Sequence, residues 1–145
     1  MLSAVATIFT RIINGELPGR FVWKDEQAVG FLSIAPIRPG HTLVVPRQEI
    51  DQWTDAPAAL ITHLTTVAQT IGQAVKDAWE APRAALIIAG FEVPHLHLHT
   101  YPAWGLEDLD FANADPKPDG AAMDEAAERI RATLTKHGHA AAARE

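Results

Sequence analysis

The chain contains no cysteine among its 145 residues. Disulfides, thiol nucleophiles and thiolate metal ligands are therefore excluded. A reducing cytoplasm is the natural compartment for such a sequence. No stretch approaches the roughly 20 uninterrupted apolar residues of a membrane span, so no membrane partner is expected. The opening Met1-Leu2-Ser3-Ala4-Val5-Ala6 is short and has no basic start, so a secretory leader is not expected either. Excess positive charge is also missing: 12 Lys and Arg against 18 Asp and Glu give a net charge of −6. Nucleic acid is a poor partner for that balance, because binding a phosphate backbone needs basic surface. A small anionic ligand in a locally basic cleft stays open. There is no internal repeat and no low-complexity linker.

What is present is an ordinary globular composition, 48% hydrophobic and 21% charged, which fits one domain over residues 1–145. Ile8, Phe9, Ile12 and Ile13 recur at helical spacing until Asn14-Gly15 and Pro18-Gly19 stop the helix. Arg20 to Lys24 and Ala28 to Ile34 read as strands around the turn Asp25-Glu26-Gln27. A buried strand follows from His41 to Val45, ending at Pro46. Between Pro57 and about Glu80, residues Leu60, Ile61, Leu64, Val67, Ala68, Ile71 and Val75 form one helical stripe. Ala84 to Ala89 reads as a strand broken by Gly90, and residues 106–118 as an acidic, proline-rich surface loop. A last helix spans about 121–137, capped by Asp119 and stopped by Gly138, before a frayed tail at 140–145. Short-turn strands with one long central helix and one C-terminal helix predict an α+β domain built on an antiparallel sheet.

The chemistry concentrates in His95-Leu96-His97-Leu98-His99-Thr100-Tyr101. In a strand, alternate side chains share a face, so three imidazoles line one side and Leu96 and Leu98 the other. Val93-Pro94 in front and Pro102 behind fit the two strand ends. Pure packing is a strained explanation, because three buried polar rings would each need partners. Two imidazoles at this spacing can share a zinc, although all three reaching one ion would require a strong bend. The third reading is nucleophilic: a neutral imidazole attacks phosphorus while a neighbouring histidine protonates the leaving group. The helical or tail histidines His63, His137 and His139 suggest no chemistry. Trp23, Trp53, Trp79 and Trp104 read as core or interface, and Arg38 and Arg47 as solvated.

The histidine run resembles the His-φ-His-φ-His-φ-φ signature of the histidine triad (HIT) superfamily of nucleotide hydrolases and transferases. Three further blocks resemble that family in order and distance. Thr7 to Pro18 (TIFTRIINGELP) is similar to its opening IF-x-x-I-I-x-G-E-x-P. Phe31 to Arg47 (FLSIAPIRPGHTLVVPR) is similar to F-x-D-I-x-P-x-x-P-G-H-x-L-V-x-P-K. Ala89 to Pro94 (AGFEVP) is similar to the A-G-Q-x-V-x that leads into the triad. The resemblance covers residues 7–102.

It implies a five-stranded antiparallel sheet with helices, a homodimer, and a purine-mononucleotide pocket over the histidine strand. By that comparison His97 attacks the α-phosphate to form a nucleotidyl-histidine, and His95 fixes its tautomer. His99 contacts phosphate oxygens, and His41 completes the cluster. The nucleotide would lie against Phe9, Phe31, Ser33, Ile34, Gly90, Phe91, Glu92 and Val93, besides His97 and His99. The expected activity is hydrolysis or nucleotidyl transfer at an α-phosphate bond (phosphoramidate, phosphoanhydride or phosphoester), as of a nucleoside phosphoramidate or a dinucleoside polyphosphate. The alternative is a non-enzymatic module that binds a nucleotide or another small ligand. A metal-dependent hydrolase using the same histidines is a third reading. No cofactor is implied. Many relatives hold a structural zinc with an opening Cys-x-x-Cys and a histidine after the Pro-Lys. Thr7, Thr10 and Glu49 stand at those places here, so no structural zinc is expected. Ser33 replaces a ribose-binding aspartate, Phe91 a glutamine, and Glu92 a phosphate-donating serine or threonine. Phe91 could then line a more apolar pocket while Glu92 faces solvent.

Overall fold

Thr7 begins the first helix, α1 (Ile8–Ile13), by accepting a 3.1 Å hydrogen bond from the Thr10 amide. The computed structural model describes residues 5–145, so most of the opening segment weighed for a leader lies outside the described residues. Four strands and a long helix follow: β1 (Phe21–Lys24), β2 (Ala28–Leu32), β3 (Thr42–Pro46), α2 (Ala58–Ala78) and β4 (Arg83–Ile87). The chain ends with β5 (Leu98–Ala103), two 3₁₀ turns and α3 (Gly120–Lys136). All pairings are antiparallel in the order β1-β2-β3-β5-β4. This is the expected α+β architecture.

Alternation along the strands separates two faces. Val44 and Leu98 point to α2 and α3, where they join Leu64, Ile71, Ile130 and Leu134, all fully buried. Each such side chain contributes on the order of 1.5–3 kcal/mol of hydrophobic stabilisation. Leu43, Val45, Val29 and Phe31 point to the other face and meet Phe9 and Ile12 of α1. Gly72 lets α2 settle on the sheet, because a Cβ there would already touch Thr100 Oγ1 at 3.3 Å. Gly40, at φ +90°, lies against Trp79, whose ring would be 2.8 Å from a Cβ. Trp23 is buried and Trp79 half-buried, whereas Trp53 and Trp104 are largely exposed.

Five expectations need correction. The histidine run is not strand throughout: His95, Leu96 and His97 precede the ladder, and only His99 lies in β5. The chain turns tightly at Pro94, with the His95 amide donating to Val93 O and the Leu96 amide to Ile50 O. Those bonds take the place of strand pairing. Pro102 does not end the strand, because β3 pairs only as far as Thr100 and leaves Pro102 a neighbour on one side alone. Residues 106–118 are not wholly a surface loop, since buried Asp108 organises the turn Leu106–Leu109 and Asp110 caps the turn Phe111–Asn113. It accepts from Arg38 Nε and the Trp104 amide, each at 2.7 Å, so Arg38 is clamped rather than freely solvated. The tail is not frayed either. After Gly138 (φ +95°) the chain turns back, Ala142 O accepts from the Lys24 amide at 2.9 Å, and Ala142 and Ala143 pack on the core.

Candidate active site

Three elements bring the histidines together: β5 with the segment before it, α1 beneath, and the β2–β3 loop that carries His41. Leu96 and Leu98 anchor the run in the helix-side core. The imidazoles therefore emerge on the opposite face, as the alternation predicts, although residues 95–97 are unpaired. The Phe9 ring stands edge-on to His97 at 4.9 Å and to His95 at 5.8 Å. His97 and His99 are 4.9 Å apart, and His41 is 5.2 Å from His99. All four histidines are buried.

Backbone partners dictate where the ring protons sit, because a carbonyl can only accept and an amide can only donate. His95 Nε2 lies 2.8 Å from Pro46 O, so it carries the proton, and Nδ1 accepts from Thr7 Oγ1 at 2.7 Å. His97 Nδ1 lies 2.7 Å from His95 O and is likewise the protonated nitrogen. The lone pair of neutral His97 is then on Nε2, which has no hydrogen-bond partner among the described residues. On the other side, His41 Nδ1 accepts the Ile37 amide at 3.0 Å. His41 Nε2–H must then donate to His99 Nδ1 at 2.9 Å, which puts the His99 proton on Nε2. The site thus pairs a free lone pair on His97 with an N–H donor on His99.

Burial keeps these rings neutral. Desolvation, helped by the neighbouring histidines, pushes His41 down to about 3 and His99 to about 4. His95 and His97 are lowered too, again mainly by burial. Their carbonyl partners oppose the shift, as does the negative charge of Glu49 for His95 and of Glu92 for His97.

The family profile of the HIT domain matches residues 14–104. The chain belongs to the HIT family. An uncharacterised HIT-like protein of Methanocaldococcus jannaschii is 36% identical over 101 residues, covering 67% of this chain and 78% of that protein. The adenosine 5'-monophosphoramidase of Saccharomyces cerevisiae is 28% identical over 117 residues, 73% of this chain and 74% of its own. A zinc-bound histidine triad family protein from Mycobacterium smegmatis superposes with a TM-score of 0.80 at 28% identity, covering 93% and 97% of the two chains. HIT membership and the monophosphoramidase relative together support nucleotide-hydrolase chemistry in general terms.

The residues expected to line the nucleotide divide into two groups. Phe9 and Phe31 are buried at 5.5 Å from each other, and half-buried Val93 packs on the same cluster. Ser33 is half-buried, and its Oγ accepts from the Ala35 amide at 3.2 Å. Ile34 and Phe91 stand in solvent at 78% and 96% exposure, so Phe91 does not line an apolar pocket. Gly90 turns the chain at φ +78°, and Glu92 is exposed. One ring was missed in the sequence: Phe111, in the second 3₁₀ turn, stands edge-on to His99 at 4.9 Å. Its only local signal is an aromatic in an acidic, proline-rich stretch. Among the described residues, no group of three or more His, Cys, Asp or Glu is placed to hold a metal ion.

Proposed function

We propose that this HIT protein cleaves an α-phosphate bond of a nucleotide conjugate through a nucleotidyl-histidine on His97, with nucleoside phosphoramidates as the first substrates to try. The observation that carries this is the 2.7 Å bond between His97 Nδ1 and His95 O, which leaves the Nε2 lone pair free on a neutral ring. In the first step Nε2 bonds to phosphorus and the bond from phosphorus to the leaving nitrogen or oxygen breaks. The positive charge that develops on His97 is shared with Nδ1–H and stabilised by the His95 carbonyl. His99 Nε2–H is positioned to donate to a phosphate oxygen. Because burial keeps His41 and His99 unprotonated near pH 7, the leaving group takes its proton from water. Water then attacks phosphorus and gives up a proton that neutralises the hydroxide left by the first step. The P–Nε2 bond breaks with its electron pair returning to Nε2, and the nucleoside monophosphate departs with His97 neutral again.

Incubation with adenosine 5'-phosphoramidate, followed by acid-free intact-mass spectrometry, should reveal an added adenylyl group in the wild type and none in His97→Ala. A wild type that forms no adduct and releases no AMP would refute this reading. A second reading, nucleotide binding without turnover, draws on Ser33, solvent-facing Phe91 and Glu92 in place of a phosphate clamp. It predicts a rise in melting temperature with AMP in a protein that turns nothing over.

We also propose that the protein is a homodimer and works in the cytoplasm. The two sheet edges support the first part. β1 is covered by α3 and the returning tail, whereas β4 exposes Ala84 and 52% of Leu86 beside a groove of about 700 Å³ along α2. An open antiparallel edge with apolar residues suits two-fold pairing with a second copy. Leu86→Lys should convert dimer to monomer in sedimentation velocity. A wild type that sediments as a monomer at every concentration would exclude this assembly.

A further inference from the structure

The positions where zinc-holding relatives place their ligands are brought together in this chain, but as a hydrogen-bonded clasp. The Thr7 amide donates to Glu49 Oε1 at 2.9 Å, and Thr10 Oγ1 donates to the same oxygen at 2.6 Å. The Thr10 amide donates to Thr7 Oγ1 at 3.1 Å. The Thr7 hydroxyl lies 3.3 Å from Thr10 Oγ1 and 2.7 Å from His95 Nδ1. Pro46 O holds the His95 ring proton on Nε2, so Nδ1 can only accept, and the Thr7 proton goes to this shorter contact. Every donor in the cluster has a stated acceptor. The set does not fit zinc: two of its four members are neutral hydroxyls, poor zinc ligands beside thiolate, imidazole or carboxylate. The imidazole nitrogen that would face an ion is itself occupied by Thr7.

The clasp acts on a segment that needs holding. His95, Leu96 and His97 lie outside the sheet, so no ladder fixes the His95 carbonyl that orients His97. That carbonyl is located by the His95 ring, gripped at both nitrogens by Thr7 and Pro46, and by the Leu96 amide on Ile50 O. We propose that Thr7 is a positioning residue for the reaction: its hydroxyl, oriented by Thr10 and Glu49, locks the His95 ring and thereby aims the His97 lone pair, without a metal. The kinetic consequence rests on His97 being the nucleophile; the structural claim does not.

The test is Thr7→Val, which keeps the β-branched shape but removes the hydroxyl, with Thr7→Ser as the conservative restoration. We expect Thr7→Val to lower kcat roughly tenfold with KM within about twofold, as for a lost buried hydrogen bond that orients rather than binds. Thr7→Ser should recover most of that loss. Long-range ¹H–¹⁵N spectra give an independent readout. In the wild type His95 should show a protonated Nε2 and an Nδ1 shifted by an accepted hydrogen bond, and in Thr7→Val that Nδ1 should move toward an unbonded imidazole nitrogen. A folded Thr7→Val with unchanged kcat and an unchanged His95 signal would overturn the proposal. If the lost helix cap prevents Thr7→Val from folding, the wild-type spectrum decides alone, since an Nδ1-protonated or unbonded His95 is incompatible with the clasp. Failure of the wild type to form an adenylyl adduct would overturn the assignment of His97 while leaving this ring assignment standing or falling by its spectrum.

Discussion

The histidine row and the rim around it are built on opposite terms. Each histidine of the row is buried and held by a backbone or side-chain partner: His95 by Pro46 and Thr7, His97 by the His95 carbonyl, His41 by the Ile37 amide and His99 by His41. The rim at Ile34, Phe91 and Glu92 is exposed, and at Phe91 nearly the whole side chain is in water. Ring orientation is therefore over-determined, whereas the residues that would grip a substrate are only partly engaged. On the proposed function, orientation of the reacting rings and recognition of substrate are separable, and the first is the more fully built.

That contrast predicts that perturbing the row costs far more than perturbing the rim. His41→Leu removes the donor that sets the His99 tautomer and strands the Ile37 amide. We expect kcat to fall about a hundredfold, in line with losing one preorganised donor to a developing oxyanion. Turnover of adenosine 5'-phosphoramidate checks it, and a loss below threefold would show that the row is not locked through His41. Acid should also act on the row. With His41 near 3 and His99 near 4 in the fold against about 6.5 in the unfolded chain, the unfolded state binds more protons below pH 6.5. Their neutral burial is thus fully compatible with folding above pH 6.5, and stability is lost as pH falls toward 4 and then 3. Urea unfolding between pH 7 and 4 should reveal a decline on the order of 1 kcal/mol per pH unit for each histidine. A flat profile would contradict neutral burial.

Phe111 lies between the two regions, packed on His99 but partly exposed. Phe111→Ala should change kcat/KM by roughly three- to tenfold, the scale of a lost aromatic contact. Phe91→Ala should be the mildest, within about twofold in kcat/KM, as for an exposed side chain without contacts. A large Phe91 effect would mean that the rim closes on substrate, and the contrast would then hold only for the unliganded protein.

Much of this site was legible from residues alone. The His-x-His-x-His spacing put the imidazoles opposite Leu96 and Leu98, and burial of both leucines enforces that partition even where strand pairing fails. The helices were readable because their apolar stripes repeat over many turns, and Asp119 caps α3 as its position predicts. Other features were not readable, since they depend on partners far along the chain. Arg38 looks like a surface cation until Asp108, 70 residues away, is placed beneath it. The tail looks frayed until the turn at Gly138 lays Ala142 against Lys24. Thr7 and Glu49 looked like lost zinc ligands, and only their joint geometry makes them a clasp.

Local spacing and short-range pattern determined which helices and strands form and which face the histidine side chains share. Periodicity and turn chemistry act within a few residues, so they survive in a one-dimensional reading. Which nitrogen holds each proton could come only from the tertiary structure. A ring's tautomer is chosen by the acceptor or donor that faces it, and for His95, His97 and His41 those partners are a carbonyl or an amide supplied by the folded backbone.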